Sequence, residues 1–213
     1  MALEIFNGIG WSASFFTLIM FFPQTVKVIK TKDTSTLSKK AFSISIFGAI
    51  MWVMLSPFAH SLQAGVANLV TLILLSPIVF YLWKDQKKIM IGLLVTMAIF
   101  FIVSVVFWFI QPTLPLFLKY FFIIGAGLAV GFGLLPQTIK VIKTKELGSL
   151  SMYSALLILL ANVTRLVYWS GKSYYETGDM IILGWLLVTF LTIGFIIQIP
   201  VLYIFFKSKM KNK

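Results

Sequence analysis

Apolar runs of about twenty residues, broken by short charged or Pro- and Gly-containing stretches, recur along the whole chain. They cover residues 5–29, 41–59, 62–83, 89–110, 118–142, 150–169 and 180–206. A helix of that length crosses the ~30 Å hydrocarbon core of a bilayer. None of the runs alternates polar and apolar positions, and an open sheet edge facing lipid would leave backbone groups unpaired. The pattern therefore predicts an all-α polytopic membrane protein with seven transmembrane helices.

Composition agrees. Of 213 residues, 60% are hydrophobic and 11% charged, against roughly 25% charged in a soluble domain. Cysteine is absent, which excludes disulfides, zinc thiolates and thiol catalysis. A net charge of +12 would point a soluble protein toward nucleic acid, but here its distribution gives it another meaning. Lys27, Lys30, Lys32, Lys39 and Lys40, then Lys84, Lys87 and Lys88, then Lys140, Lys143 and Lys145, and finally Lys207, Lys209, Lys211 and Lys213 all fall at one end of the expected bundle. The opposite loops hold Lys119 and Lys172, and Arg165 lies inside a span. The excess of cations on one side predicts an outside amino terminus and a cytoplasmic carboxyl terminus, an odd number of crossings. The first run follows Glu4 with no basic leader, so no cleaved signal peptide is expected. The lysine clusters read as topology signals and contacts to anionic lipid.

Residues 23–38, PQTVKVIKTKDTSTLS, return at 136–151 as PQTIKVIKTKELGSLS, with 11 identities in 16 positions at an offset of 113. Both copies leave a span on the same side, so the two repeats run parallel through the membrane rather than inverted. Joining two parallel three-helix units needs one extra crossing. Run 89–110 supplies it and is the least polar, with Thr96, Ser104 and Trp108 as its main polar positions. The expected organisation is three-plus-one-plus-three: a first three-helix repeat at 1–88, a linker helix at 89–117 and a second repeat at 118–213.

The doubled pairs Pro23-Gln24 and Pro136-Gln137 in this arrangement resemble the PQ-loop superfamily, which holds the SWEET and SemiSWEET sugar transporters, the cystinosin-type amino-acid exporters and, more distantly, the KDEL receptors. The resemblance covers essentially the full chain, and it specifies substrate far less than family. It implies a transporter of a small polar solute, and a hinge at Pro23, Gln24, Pro136 and Gln137 that lets the bundle rock between inward- and outward-open states. Each proline lacks an N–H and so frees a carbonyl one turn earlier, Ile19 and Phe132, which bends the helix.

Trp52 and Asn68 lie about eight residues either side of the turn at His60 and Ser61, hence at similar mid-membrane depth. A ring face and an amide there suit stacking on and hydrogen bonding to a sugar-like body, and by resemblance they match the tryptophan and asparagine of the SemiSWEET site. The alternative is a packed indole and an inter-helix amide bond. The second repeat departs from this pattern: Arg165 stands 113 after Trp52, Asn162 lies one turn before it, and the last span offers Trp185, Thr189 and Thr192 where a SWEET would show a second asparagine. An arginine at that depth snorkels, pairs or faces water; facing a cavity it would favour a carboxylate or phosphate.

All six acids, Glu4, Asp33, Asp85, Glu146, Glu176 and Asp179, fall in loops or at helix ends, and His60 is in a loop. A proton relay within the spans is therefore not expected, which favours facilitated diffusion. No nucleophile–base set, phosphate loop or metal cluster is legible, so neither an enzyme nor a cofactor is expected. The expected partners are a small polar solute and membrane lipid, not nucleic acid, with a homo-oligomer left open. The bacterial inner membrane is the expected location. Amino-acid or organic-anion transport, or a receptor without transport, are the alternatives.

Overall fold

The computed structural model describes residues 2–58, 61–110, 115–147, 149–175 and 179–211. His60, Glu176 and the last residue of the expected second span, Ala59, lie outside them. Every regular element among the described residues is a helix: α1 (Ala2–Ile19), α2 (Phe22–Thr31), α3 (Lys39–Leu55), α4 (Leu62–Leu82), α5 (Lys87–Ile110), α6 (Leu116–Phe132), α7 (Leu135–Thr144), α8 (Met152–Tyr175) and α9 (Asp179–Lys211).

Among the described residues, six spans are long and apolar enough to cross a membrane, two of them formed by α1 with α2 and by α6 with α7. The remaining expected crossing, 41–59, falls on α3, which is not among the six: its 17 residues rise only about 26 Å. It is shielded by neighbours rather than lipid: every residue from Gly48 to Leu55 is buried. In contrast, only Met97 and Ser104 of α5 are buried. Exposed Phe, Ile and Val side chains around the bundle, such as Phe109 at 85% and Phe117 at 67%, form its apolar coat.

Two expected spans are broken rather than merely bent. α1 ends at Ile19 and α2 starts at Phe22; α6 ends at Phe132 and α7 starts at Leu135. Pro23 and Pro136 thus occupy the first turn of a new helix, where a missing N–H costs nothing and the fixed φ favours the start. Both short helices end alike, at Lys32 and Lys145, in the left-handed region with φ of 54° and 58°. Their N–H groups return to Val28 O and Val141 O, closing the last turn as a C-cap requires.

Packing is reciprocal. α1 lies on α8 and α6 on α3; α4 packs on α1, α2 and α3, and α9 on α6, α7 and α8; α2 touches α8 as α7 touches α3. Two hydrogen bonds fix the register within each half. Thr25 Oγ1 donates to Leu74 O at 2.7 Å and Thr138 Oγ1 to Ile197 O at 3.1 Å. The threonines are 113 residues apart but the carbonyls 123, as are Pro77 and Pro200. Ten extra residues thus enter the second half, mostly through α8, 24 residues long against 17 in α3. Small residues let backbones close in: a Cβ on Gly48 would stand 2.5 Å from Ala129 Cβ, and one on Gly194 2.6 Å from Val130 O. Close small-residue crossings take the place of hydrophobic driving force between helices in lipid.

Candidate functional site

Between α1, α3, α4, α6 and α8 lie two small cavities stacked along the bundle. The one nearer the Pro-Gln motifs, about 60 Å³, is walled by Ser45, Trp52, Asn68, Thr71, Asn162 and Arg165 among others. The other, about 30 Å³, is walled by Trp52, Ser61, Asn68, Arg165, Tyr168 and Trp169 among others. At ~10–15 Å³ per water centre, the first has room for a handful of waters. Trp52, Asn68 and Arg165 belong to both walls, so they form the partition between the two voids.

The fold explains why these side chains meet. α3 and α8 occupy corresponding places in the two halves, and Trp52 and Arg165 are separated by the repeat offset. The guanidinium carbon stands 5.9 Å from the centre of the Trp52 ring. Trp169 stacks obliquely on Trp52 at 6.0 Å, and Tyr168 meets Trp169 edge-on at 5.3 Å. Trp52 is 5% exposed and its indole N–H finds no acceptor among the described residues. Arg165, partly buried, has neither a hydrogen-bond acceptor nor a carboxylate partner among them. Asn68 Nδ2 donates to Ala64 O of its own helix at 2.8 Å. Asn162 Nδ2 reaches Gln198 Oε1 at 3.5 Å, and Gln198 Nε2 in turn donates to Ala155 O at 2.5 Å.

Four of the seven side chains singled out from the sequence therefore come together. Trp185, Thr189 and Thr192 do not. All three are exposed on the outer face of α9, and the threonine hydroxyls donate to Trp185 O and Val188 O of the same helix. The ten-residue lengthening is the reason: under the 123-residue register of the last helix, Leu191 and not a polar residue takes the place corresponding to Asn68, and Leu191 is buried at 1%.

At the motif end the two halves exchange identical bonds. Gln24 Nε2 donates to Ser149 O at 2.9 Å while its Oε1 accepts the Ser151 N–H at 2.7 Å. Gln137 Nε2 donates to Thr36 O at 3.0 Å while its Oε1 accepts the Ser38 N–H at 2.7 Å. Lys27 Nζ donates to Leu150 O at 2.6 Å, and Lys140 Nζ to Leu37 O at 2.9 Å and Ser35 O at 2.6 Å. Gln24 and Gln137 are 3% and 5% exposed, so these are water-shielded bonds. The glutamines are thus latches between the halves as much as neighbours of a bending proline. Lys27 and Lys140 have a structural partner beyond any role in topology. Sequence reasoning missed Thr36, Ser149 and Ser151. Their signal was the repeat identity running past the helix end into Leu37-Ser38 and Leu150-Ser151.

Comparison with known proteins gives the context. Two sugar transporters named SemiSWEET are similar to this chain. The one from Leptospira biflexa serovar Patoc is 32% identical over 75 residues, 88% of its own length and 35% of this chain. The one from Escherichia coli (strain UMEA 3162-1) is 30% identical over 79 residues, 89% of its length and 37% of this chain. Each relative thus corresponds to about one half of the repeated architecture. The family model for the PQ loop repeat matches twice, at residues 5–64 and 117–177, together more than half of the sequence. With both copies of the motif engaged across the bundle and both matched by the model, the chain belongs to the PQ loop repeat family.

Proposed function

We propose that this protein is a membrane carrier for a small polar solute of sugar size, working by alternating access. The observation that carries the reading is the cavity wall itself. Side chains from both halves, Trp52 and Asn68 from one and Asn162 and Arg165 from the other, face a common space midway along the helices. The naming of both relatives as sugar transporters supports the substrate class. In this proposal residues 1–88 and 118–213 are two parallel trios and 89–117 is the linker that lets the second run in the same sense as the first.

The motif end, taken as cytoplasmic because it carries the lysines, is the closed gate: the Gln24 and Gln137 bonds hold it shut. Opening requires the halves to separate there, with the helix breaks before Pro23 and Pro136 absorbing the change in angle. A membrane-embedded carboxylate is missing from all seven expected spans, so flux follows the solute gradient without a coupled proton. The bacterial inner membrane, amino terminus out, is the proposed setting.

Counterflow in proteoliposomes tests the reading. Vesicles preloaded with unlabelled glucose should accumulate labelled glucose transiently, and equally with or without an imposed pH gradient. Absence of exchange for glucose and for a panel of sugars, sugar acids and amino acids, with protein shown by circular dichroism to be folded and inserted, rejects it.

A further inference from the structure

The partition between the two cavities is unbalanced in charge: its walls hold one cation, Arg165, and no carboxylate. Arg165 presents a guanidinium that lies over the Trp52 ring with no hydrogen bond or ion pair among the described residues, and the buried Trp52 N–H lacks an acceptor there. No Asp or Glu lines either cavity. The two closest amides, Asn68 and Asn162, each give one N–H, to Ala64 O and Gln198 Oε1, and are neutral.

Snorkelling does not account for Arg165, because the side chain lines the cavity on the motif side as well as the outer one. Among the described residues no ion pair to Arg165 is present. A guanidinium held in a low-dielectric wall without a carboxylate is costly. A planar anionic oxygen pair is what its fork-shaped donors match.

We propose that the transported solute carries a carboxylate, bound by Arg165 with Trp52 stacking beside it, and that the class is sugar acids of monosaccharide size rather than neutral sugars. This rests on the carrier reading above and narrows its substrate. The repeat geometry explains why the site is one-sided: the half that supplies Trp52 meets an arginine, not a second tryptophan, at the corresponding place.

The test compares glucuronate with glucose, which differ by a carboxylate in place of a hydroxymethyl group, as competitors and as labelled substrates in the same proteoliposomes. The wild-type protein should prefer glucuronate by at least about tenfold, the step a single charge-assisted hydrogen bond is worth. Arg165→Lys should retain part of the preference and Arg165→Gln should bring the glucuronate-to-glucose ratio to about one. Equal use of both solutes by the wild-type protein overturns the inference while leaving the carrier reading intact, and needs no variant to fold. A preference that persists unchanged in a folded Arg165→Gln protein also overturns it. Movement of neither, nor of any other small polar solute, overturns the carrier reading itself.

Discussion

Thr36 and Ser149 face each other across the junction of the two halves, each backbone N–H donating to the other's hydroxyl at 2.9 Å and the two hydroxyls bonded together. They are 113 residues apart, the repeat offset, so the contact is a residue meeting its own counterpart. On either side of this point the glutamine bonds repeat with the order of the halves reversed. The closed end is therefore held by a two-fold set of bonds that must break together if the halves part.

Weakening that set should favour the open form at the motif end. Gln24→Ala or Gln137→Ala each removes two buried hydrogen bonds and leaves backbone partners unsatisfied, about 1–3 kcal/mol per group. With a reporter at Ser45→Cys, which lies on the cavity wall in a chain otherwise free of cysteine, labelling by a membrane-impermeant thiol reagent from the motif side should rise roughly tenfold. Unchanged labelling in both variants would detach the glutamines from gating.

Trp52→Ala and Asn68→Ala should each cut uptake at least about tenfold while the protein remains inserted and helical by circular dichroism. If both variants transport normally, the partition between the cavities is not the binding site.

Trp185→Leu, Thr189→Val and Thr192→Val should leave transport rates within about twofold of the wild-type protein, because these side chains lie outside the cavity wall and the hydroxyls serve only their own helix. Loss of uptake in the triple variant with membrane insertion intact would place α9 in the pathway.

Gly48→Ala should lower the thermal unfolding midpoint in detergent, since its new methyl group would overlap Ala129 and overpacking costs about 1–3 kcal/mol. Adding Ala129→Gly should recover most of the loss. A midpoint unchanged by Gly48→Ala would mean that α3 and α6 can separate at no cost.

The fold was largely legible because a bilayer leaves the chain few options. Length and apolarity mark the spans, and the repeated motif sets their direction. The helix breaks at Met20-Phe21 and Gly133-Leu134 were half visible: Pro23 and Pro136 announce a disturbance, but whether a helix bends or restarts depends on neighbours that close around it. Trp52, Asn68, Asn162 and Arg165 were readable because polar or bulky groups at mid-depth need a reason. Trp185, Thr189 and Thr192 looked equivalent by composition, yet a serine or threonine can satisfy its hydroxyl on its own helix and face lipid. Only the register set by Thr138 and Ile197 tells which side of α9 they occupy. The latch at Gln24 and Gln137 was invisible as a latch, because its partners are backbone groups in loops, and sequence patterns do not aim carbonyls.

Carrying both halves on one polypeptide gives each position an address. A dimer of identical short chains must present a bound molecule with the same group from left and right, so a lopsided molecule can lie in it either way round. Here an indole stands on one side and a guanidinium on the other, so a molecule lodged between them would meet different chemistry at its two ends and have a single preferred heading.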